Sequence, residues 1–181
     1  IRNREIERAR QIYRYGLENI PKDKAYKLYD AFVNFEKQYG SKEEIDDLIL
    51  DKRRIYYREL LSKNPLNYDA WFDLTNLELS TKNLDRIREC FENAIANVPP
   101  KNEKRFWRRY IYIWINYAMF EELDANNIER TKSIYERVLK LVPHKEFTFS
   151  KLWVMYAHFY IRCKNVEQAR KVFGTAIGKC P

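Results

Sequence analysis

Five prolines divide the chain at intervals that suit a helical repeat: Pro21, Pro65, Pro99, Pro143 and Pro181 stand 44, 34, 44 and 38 residues apart. Eight residues before each stands an aromatic (Tyr13, Tyr57, Phe91, Tyr135, Phe173), and four before each a Leu or Ile (Leu17, Leu61, Ile95, Leu139, Ile177). Between them the apolar residues keep helical spacing. Thr131, Ile134, Tyr135, Val138, Leu139 and Val142 fall at i, i+3, i+4, i+7, i+8 and i+11, which is one stripe of an amphipathic helix. Proline then ends that helix, because it has no amide hydrogen and its ring clashes with a continuing turn. A second series aligns on Tyr29, Trp71, Trp114 and Trp153. Three residues on come Phe32, Leu74, Tyr117 and Tyr156, and three further on Phe35, Leu77, Phe120 and Phe159. The next residue is Glu36, Glu78 and Glu121, until Tyr160 breaks the run. Each repeat therefore reads as helix, polar turn, helix. Neither helix can bury its stripe alone, so the predicted fold is all-α, a solenoid of antiparallel helix pairs. Residues 1–181 are expected to form a single array: a partial repeat at 1–21, then repeats at about 22–65, 66–99, 100–143 and 144–181. The chain starts without methionine inside a second-helix pattern and ends on a repeat-closing proline, so truncation at both sides is expected.

Local signals place the helices. Residues 4–20 are predicted helical, with Ala9, Ile12, Tyr13, Leu17 and Ile20 on the packed side and Gly16 at a close helix contact. A first-type helix follows at 24–39, and Gly40 is expected to cap it at positive φ. Ser41 and Glu44 have capping-box spacing for a long helix over about 42–63, with Ile45, Leu48, Ile49, Lys52, Tyr56, Leu60 and Leu61 on its face. Asn67 or Asp69 is expected to cap the helix that holds Trp71. Asn83 ends the next turn, before a helix carrying Leu84, Ile87, Phe91, Ala94 and Ile95. Residues 102–123 form the most conspicuous helix, and 124–127 is its turn. In the connector after Pro143, Phe147 and Phe149 are expected to tuck against the array, and His144 to serve a local structural role.

A W-x-x-Y-x-x-F-E first helix, followed by an A-R-x-[IVF]-[YF]-E-R second helix closing on Pro, resembles the HAT repeat, the half-a-TPR class of RNA-processing proteins. The longer runs NYDAWFDL, AIANVPPKNEKRFWRRYIYIWINYAMFEEL, LVPHKEFTFSKLW and GTAIGKCP extend the resemblance over essentially the whole chain, toward pre-mRNA splicing factors of that family. The resemblance implies a TPR-like superhelix. It also implies a nuclear, non-catalytic scaffold that holds other spliceosomal proteins during spliceosome assembly.

The charge is uneven. Residues 1–90 carry 18 basic and 17 acidic side chains, and residues 91–181 carry 16 and 9. Two basic clusters stand out: Lys52, Arg53 and Arg54, and then Lys104, Arg105, Arg108 and Arg109. In the second, Lys104/Arg108 and Arg105/Arg109 make adjacent rows over one helical turn. They are the candidate contacts for a protein partner, with direct RNA binding as the alternative. Self-association through aromatic surfaces or the Gly174-x-x-x-Gly178 spacing is a third reading. Aromatics are abundant (14 Tyr, 10 Phe, 4 Trp), but they keep the buried period and so read as packing between helix pairs. The glutamates recur once per repeat, which points to a structural job such as pairing with an Arg of a second helix. No phosphate loop, metal spacing, nucleophile elbow or second histidine near His144 or His158 marks an enzyme, and no cofactor is implied. Cys90, Cys163 and Cys180 form no framework and are expected reduced and mostly buried. No apolar run is long enough to span a membrane.

Overall fold

A computed structural model describes residues 2–21, 24–101 and 103–179. Pro181, Cys180 and the first residue of the partial repeat lie outside them. Among the described residues all regular structure is helical. The chain forms two compact units, Ile1–Asn64 and Pro65–Pro181.

The first unit holds α1 (Arg2–Asn19), α2 (Ala25–Tyr39) and α3 (Lys42–Lys63). Ser41 starts α3 with both halves of a capping box: its hydroxyl accepts from the Glu44 amide at 3.3 Å, and the Glu44 carboxylate accepts from the Ser41 amide at 3.0 Å. Gly40 departs from expectation. Its φ is −96°, so it takes no left-handed conformation. A Cβ there would lie 2.8 Å from the Glu36 carbonyl oxygen and closer still to its carboxylate, so close approach requires glycine at this position. At Gly16 a Cβ would meet the tip of Leu28 at 2.9 Å, in keeping with a close helix contact.

The second unit is three helix pairs: α4 (Tyr68–Ser80) with α5 (Leu84–Ile95), α6 (Lys104–Leu123) with α7 (Ile128–Leu141), and α8 (Ser150–Arg162) with α9 (Val166–Lys179). Its three hairpin turns share one design. A residue in the left-handed region (Lys82, Asn126, Lys164) is followed by an asparagine whose side chain caps the second helix. Asn83 accepts from the Arg86 amide at 3.2 Å, Asn127 from Arg130 at 3.0 Å and Asn165 from Gln168 at 3.1 Å. Of the two candidates before α4, Asn67 is the cap, accepting from the Ala70 amide at 3.2 Å.

The second-helix aromatic of one repeat stacks on the next first helix. Tyr13 lies 4.8 Å from Phe32, Phe91 4.9 Å from Tyr117, and Tyr135 5.1 Å from Tyr156, ring centre to ring centre. Trp71, Trp114 and Trp153 are buried. Phe147 is buried edge-on against Trp107 at 5.7 Å, and half-buried Phe149 packs on Phe147. His144 bridges Thr148 Oγ1 at 2.9 Å and the Leu139 carbonyl at 2.7 Å.

The edges of the stripes differ from expectation. Ile12 is 72% exposed and Ile177 79%, and Phe173 is exposed too, because no described helix covers those sides of α1 and α9. Gly174 and Gly178 face open space. On α3 only Leu61 is fully buried, and Tyr56 is exposed; Leu84, at the first turn of α5, is exposed as well. Cys90 is buried, whereas Cys163 at the end of α8 is exposed. No described helix is long and apolar enough to cross a membrane.

Candidate functional site

The recurring glutamates are the most deeply placed charges. Glu36 is 1% exposed, and Glu121 is 0% exposed. Charges so buried require partners. Arg10 of α1 donates to both Glu36 oxygens, Nε at 2.9 Å and Nη2 at 3.0 Å, and its Nη2 also reaches Glu44 at 2.9 Å. Arg88 of α5 repeats the geometry on Glu121 at 2.7 and 3.0 Å. Each is a bidentate fork from the second helix of one repeat to the first helix of the next. The carboxylates hold both guanidiniums above their ordinary pKa, chiefly through these hydrogen bonds. Glu78 is also buried. The carboxylate periodicity alone does not name the partner. The signal that does is a basic residue eleven positions before each closing proline: Arg10, Arg54, Arg88, Lys132 and Arg170. Where Tyr160 replaces the glutamate, the basic residue is Lys132, and the Tyr160 hydroxyl instead meets that of Tyr156 at 3.0 Å.

A second tie joins α5, α6 and α7. Glu92 accepts from Arg137 at 2.8 and 2.9 Å and from the Tyr117 hydroxyl at 3.0 Å. These hydrogen bonds, Arg137 foremost, hold the Glu92 carboxyl below its usual range against the opposing effect of burial. Arg137 also lies over the Trp114 ring at 5.2 Å.

The two basic clusters lie in different units. On α3, Lys52 pairs with Asp30, Arg54 pairs with Asp51 at 2.7 Å, and Arg53 is exposed. On α6, Arg105 pairs with Glu103 at 2.7 Å and Arg109 with Asp69 of α4 at 3.2 Å. Lys104 lies 5.6 Å over the Phe149 ring, and Lys151 of α8 lies 4.7 Å over Tyr112. Arg108, one turn from both Lys104 and Tyr112, is exposed and has no acidic partner among the described residues. The structure thus adds Lys151, Tyr112 and Phe149 to the predicted basic rows. Sequence spacing does not show them, since α8 is brought alongside α6 only by folding. Among the described residues no cluster of His, Cys, Asp and Glu could hold a metal.

A family model described as the PRP39 N-terminal HAT repeat matches residues 41–180. The chain is 54% identical over 178 residues to protein crooked neck of Drosophila melanogaster, covering 98% of this chain and 25% of that protein. It is 48% identical over 181 residues to pre-mRNA-splicing factor cwf4 of Schizosaccharomyces pombe, covering 100% of this chain and 27% of that one. Crooked neck-like protein 1 of Homo sapiens is 52% identical over 165 residues, 91% of this chain and 20% of its own length. The chain therefore spans about a quarter of the length of the curated relatives it matches. Aligned prolines, stacked aromatics and buried Arg–Glu forks agree with these likenesses, and the chain belongs to the HAT-repeat family.

Proposed function

We propose that this chain is part of a non-catalytic scaffold that holds other proteins together in spliceosome assembly and pre-mRNA splicing, in the nucleus. One observation carries the non-catalytic half of this reading. Glu36 and Glu121, carboxylates deep enough to be tuned for chemistry, are both consumed in forks that tie one repeat to the next. The splicing half rests on the relatives, several of which are named pre-mRNA-splicing factors. The repeat register runs through residues 1–181 and supports reading the chain as one array of repeats.

Direct RNA binding receives less support than the formal charge implies. Lys52, Arg54, Arg105 and Arg109 each sit against a carboxylate, so four of the seven cations in the two basic clusters already have a counter-charge within the chain. The test is to purify the tagged full-length protein from nuclear extract with and without ribonuclease. Splicing proteins that stay bound after ribonuclease are the expected result. Loss of every protein partner on ribonuclease treatment would overturn the scaffold reading.

A further inference from the structure

α6 and α8 run side by side in the same direction. Lys151 meets Tyr112 near one end, and Arg162 donates to Glu122 at 2.8 Å near the other. At 3.6 residues per turn, Arg105, Arg108, Tyr112, Met119 and Leu123 fall on one stripe of α6, and Lys151, Val154, His158 and Ile161 on one stripe of α8. All of these are exposed, Leu123 to 61%. The joint face is graded along its length. Its first half presents Arg108 and Lys151, cations without an acidic partner among the described residues. Its second half presents Met119, Leu123, Val154 and Ile161, large apolar side chains left to solvent. The first turns of α6 and α8 hold no acidic residue to neutralise the cationic end, whereas those of α4, α5 and α7 do.

We propose that this α6–α8 face docks an amphipathic segment of a protein partner, acidic where it lies over Arg108 and Lys151 and apolar where it lies over Met119, Leu123 and Ile161. The inference rests on the scaffold reading and names the partner chemistry of one surface. Charge complementarity selects the acidic end, and desolvation of the exposed apolar side chains drives the other. A nucleic-acid strand fits the same face poorly. Arg105 lies over Phe106 at 4.8 Å, Lys151 over Tyr112 and Lys104 over Phe149, so the aromatic faces on which bases would stack already carry the chain's own cations. Asp69 borders the cationic rows from α4, with Asp73 one turn further on, and Arg162 beside the apolar half is already paired with Glu122.

The test is selection of a phage-displayed library of random peptides about 16 residues long, a length that can follow much of α6. Binding of the enriched peptides is then measured by fluorescence anisotropy. The expected peptides carry acidic residues at one end and apolar residues at the other. Their affinity should fall about tenfold or more in Arg108→Glu/Lys151→Glu and, separately, in Met119→Glu/Leu123→Glu, but not in Arg53→Glu on α3. Arg108→Ala/Lys151→Ala gives a milder loss of the same sign, and circular dichroism establishes that each variant is folded. No enrichment, peptides without that grading, or affinities unmoved by both double variants overturn the proposal while leaving the scaffold reading in place. A single-stranded RNA of about ten nucleotides that displaces the peptides and loses its own binding in Arg108→Glu/Lys151→Glu also overturns the proposal, assigning the face to nucleic acid, and leaves the scaffold reading to the ribonuclease test.

Discussion

Glu121 shows what a single buried charge does in this fold. With no exposure of its own, it is tolerable only because Arg88 grips both oxygens. Glu121→Ala strands the guanidinium and should cost about 3–5 kcal/mol in urea unfolding. Arg88→Met/Glu121→Leu removes both charges and should recover most of that loss, because replacing a buried pair with apolar volume is often near neutral. Tyr135 is the converse case. Its ring packs on Tyr156 and Phe159, but its buried hydroxyl has no hydrogen-bond partner, and burial pushes its pKa up to about 12. Phe91 fills the equivalent register position without a hydroxyl, so Tyr135→Phe should raise stability by about 1 kcal/mol. At this scale the glutamates were legible from their recurrence. Gly40 was legible as a necessary glycine but for the wrong reason, since the constraint is the Glu36 carboxylate folded back against it.

The helices were legible almost to the residue, because proline stops and asparagine caps act locally. What the helical period could not supply was which side of each stripe finds a neighbour. Ile12 and Ile177 keep the register of buried residues yet lie exposed, since burial depends on a second element and not on spacing. The turns carry a further local cost. Lys82 and Lys164 hold φ near 57° and 59°, a region that L side chains resist. Lys164→Gly should relieve that strain and raise thermal stability by about 1 kcal/mol, while Asn165→Ala, which removes the following cap, should lower it by about as much. Calorimetry on the two variants gives opposite shifts if the left-handed residue and the cap are separate contributions.

For the whole molecule, formal charge misleads in both directions. The basic excess of residues 91–181 is real, yet Arg105 and Arg109 on α6 already sit against carboxylates, and the surface that emerges was invisible until α8 lay beside α6. Acid should reveal the internal ties. The Glu92 carboxyl is held below its usual range, so its contribution is complete above the ordinary carboxylate pKa of about 4.3 and is lost as pH falls through the lower folded value. Stability measured by urea midpoint should therefore drop below about pH 4.3, and Glu92→Gln should flatten that limb. The exception at Tyr160 has a mechanical meaning. Stretched from its ends in an optical trap, a stack of repeats breaks at its weakest joint, and the α7–α8 joint holds Lys132 and Tyr160 where the α5–α6 joint holds a two-pronged ionic rivet. That joint should yield at the lower force, and Lys132→Arg/Tyr160→Glu, by restoring the rivet, should bring its rupture up to that of its neighbour.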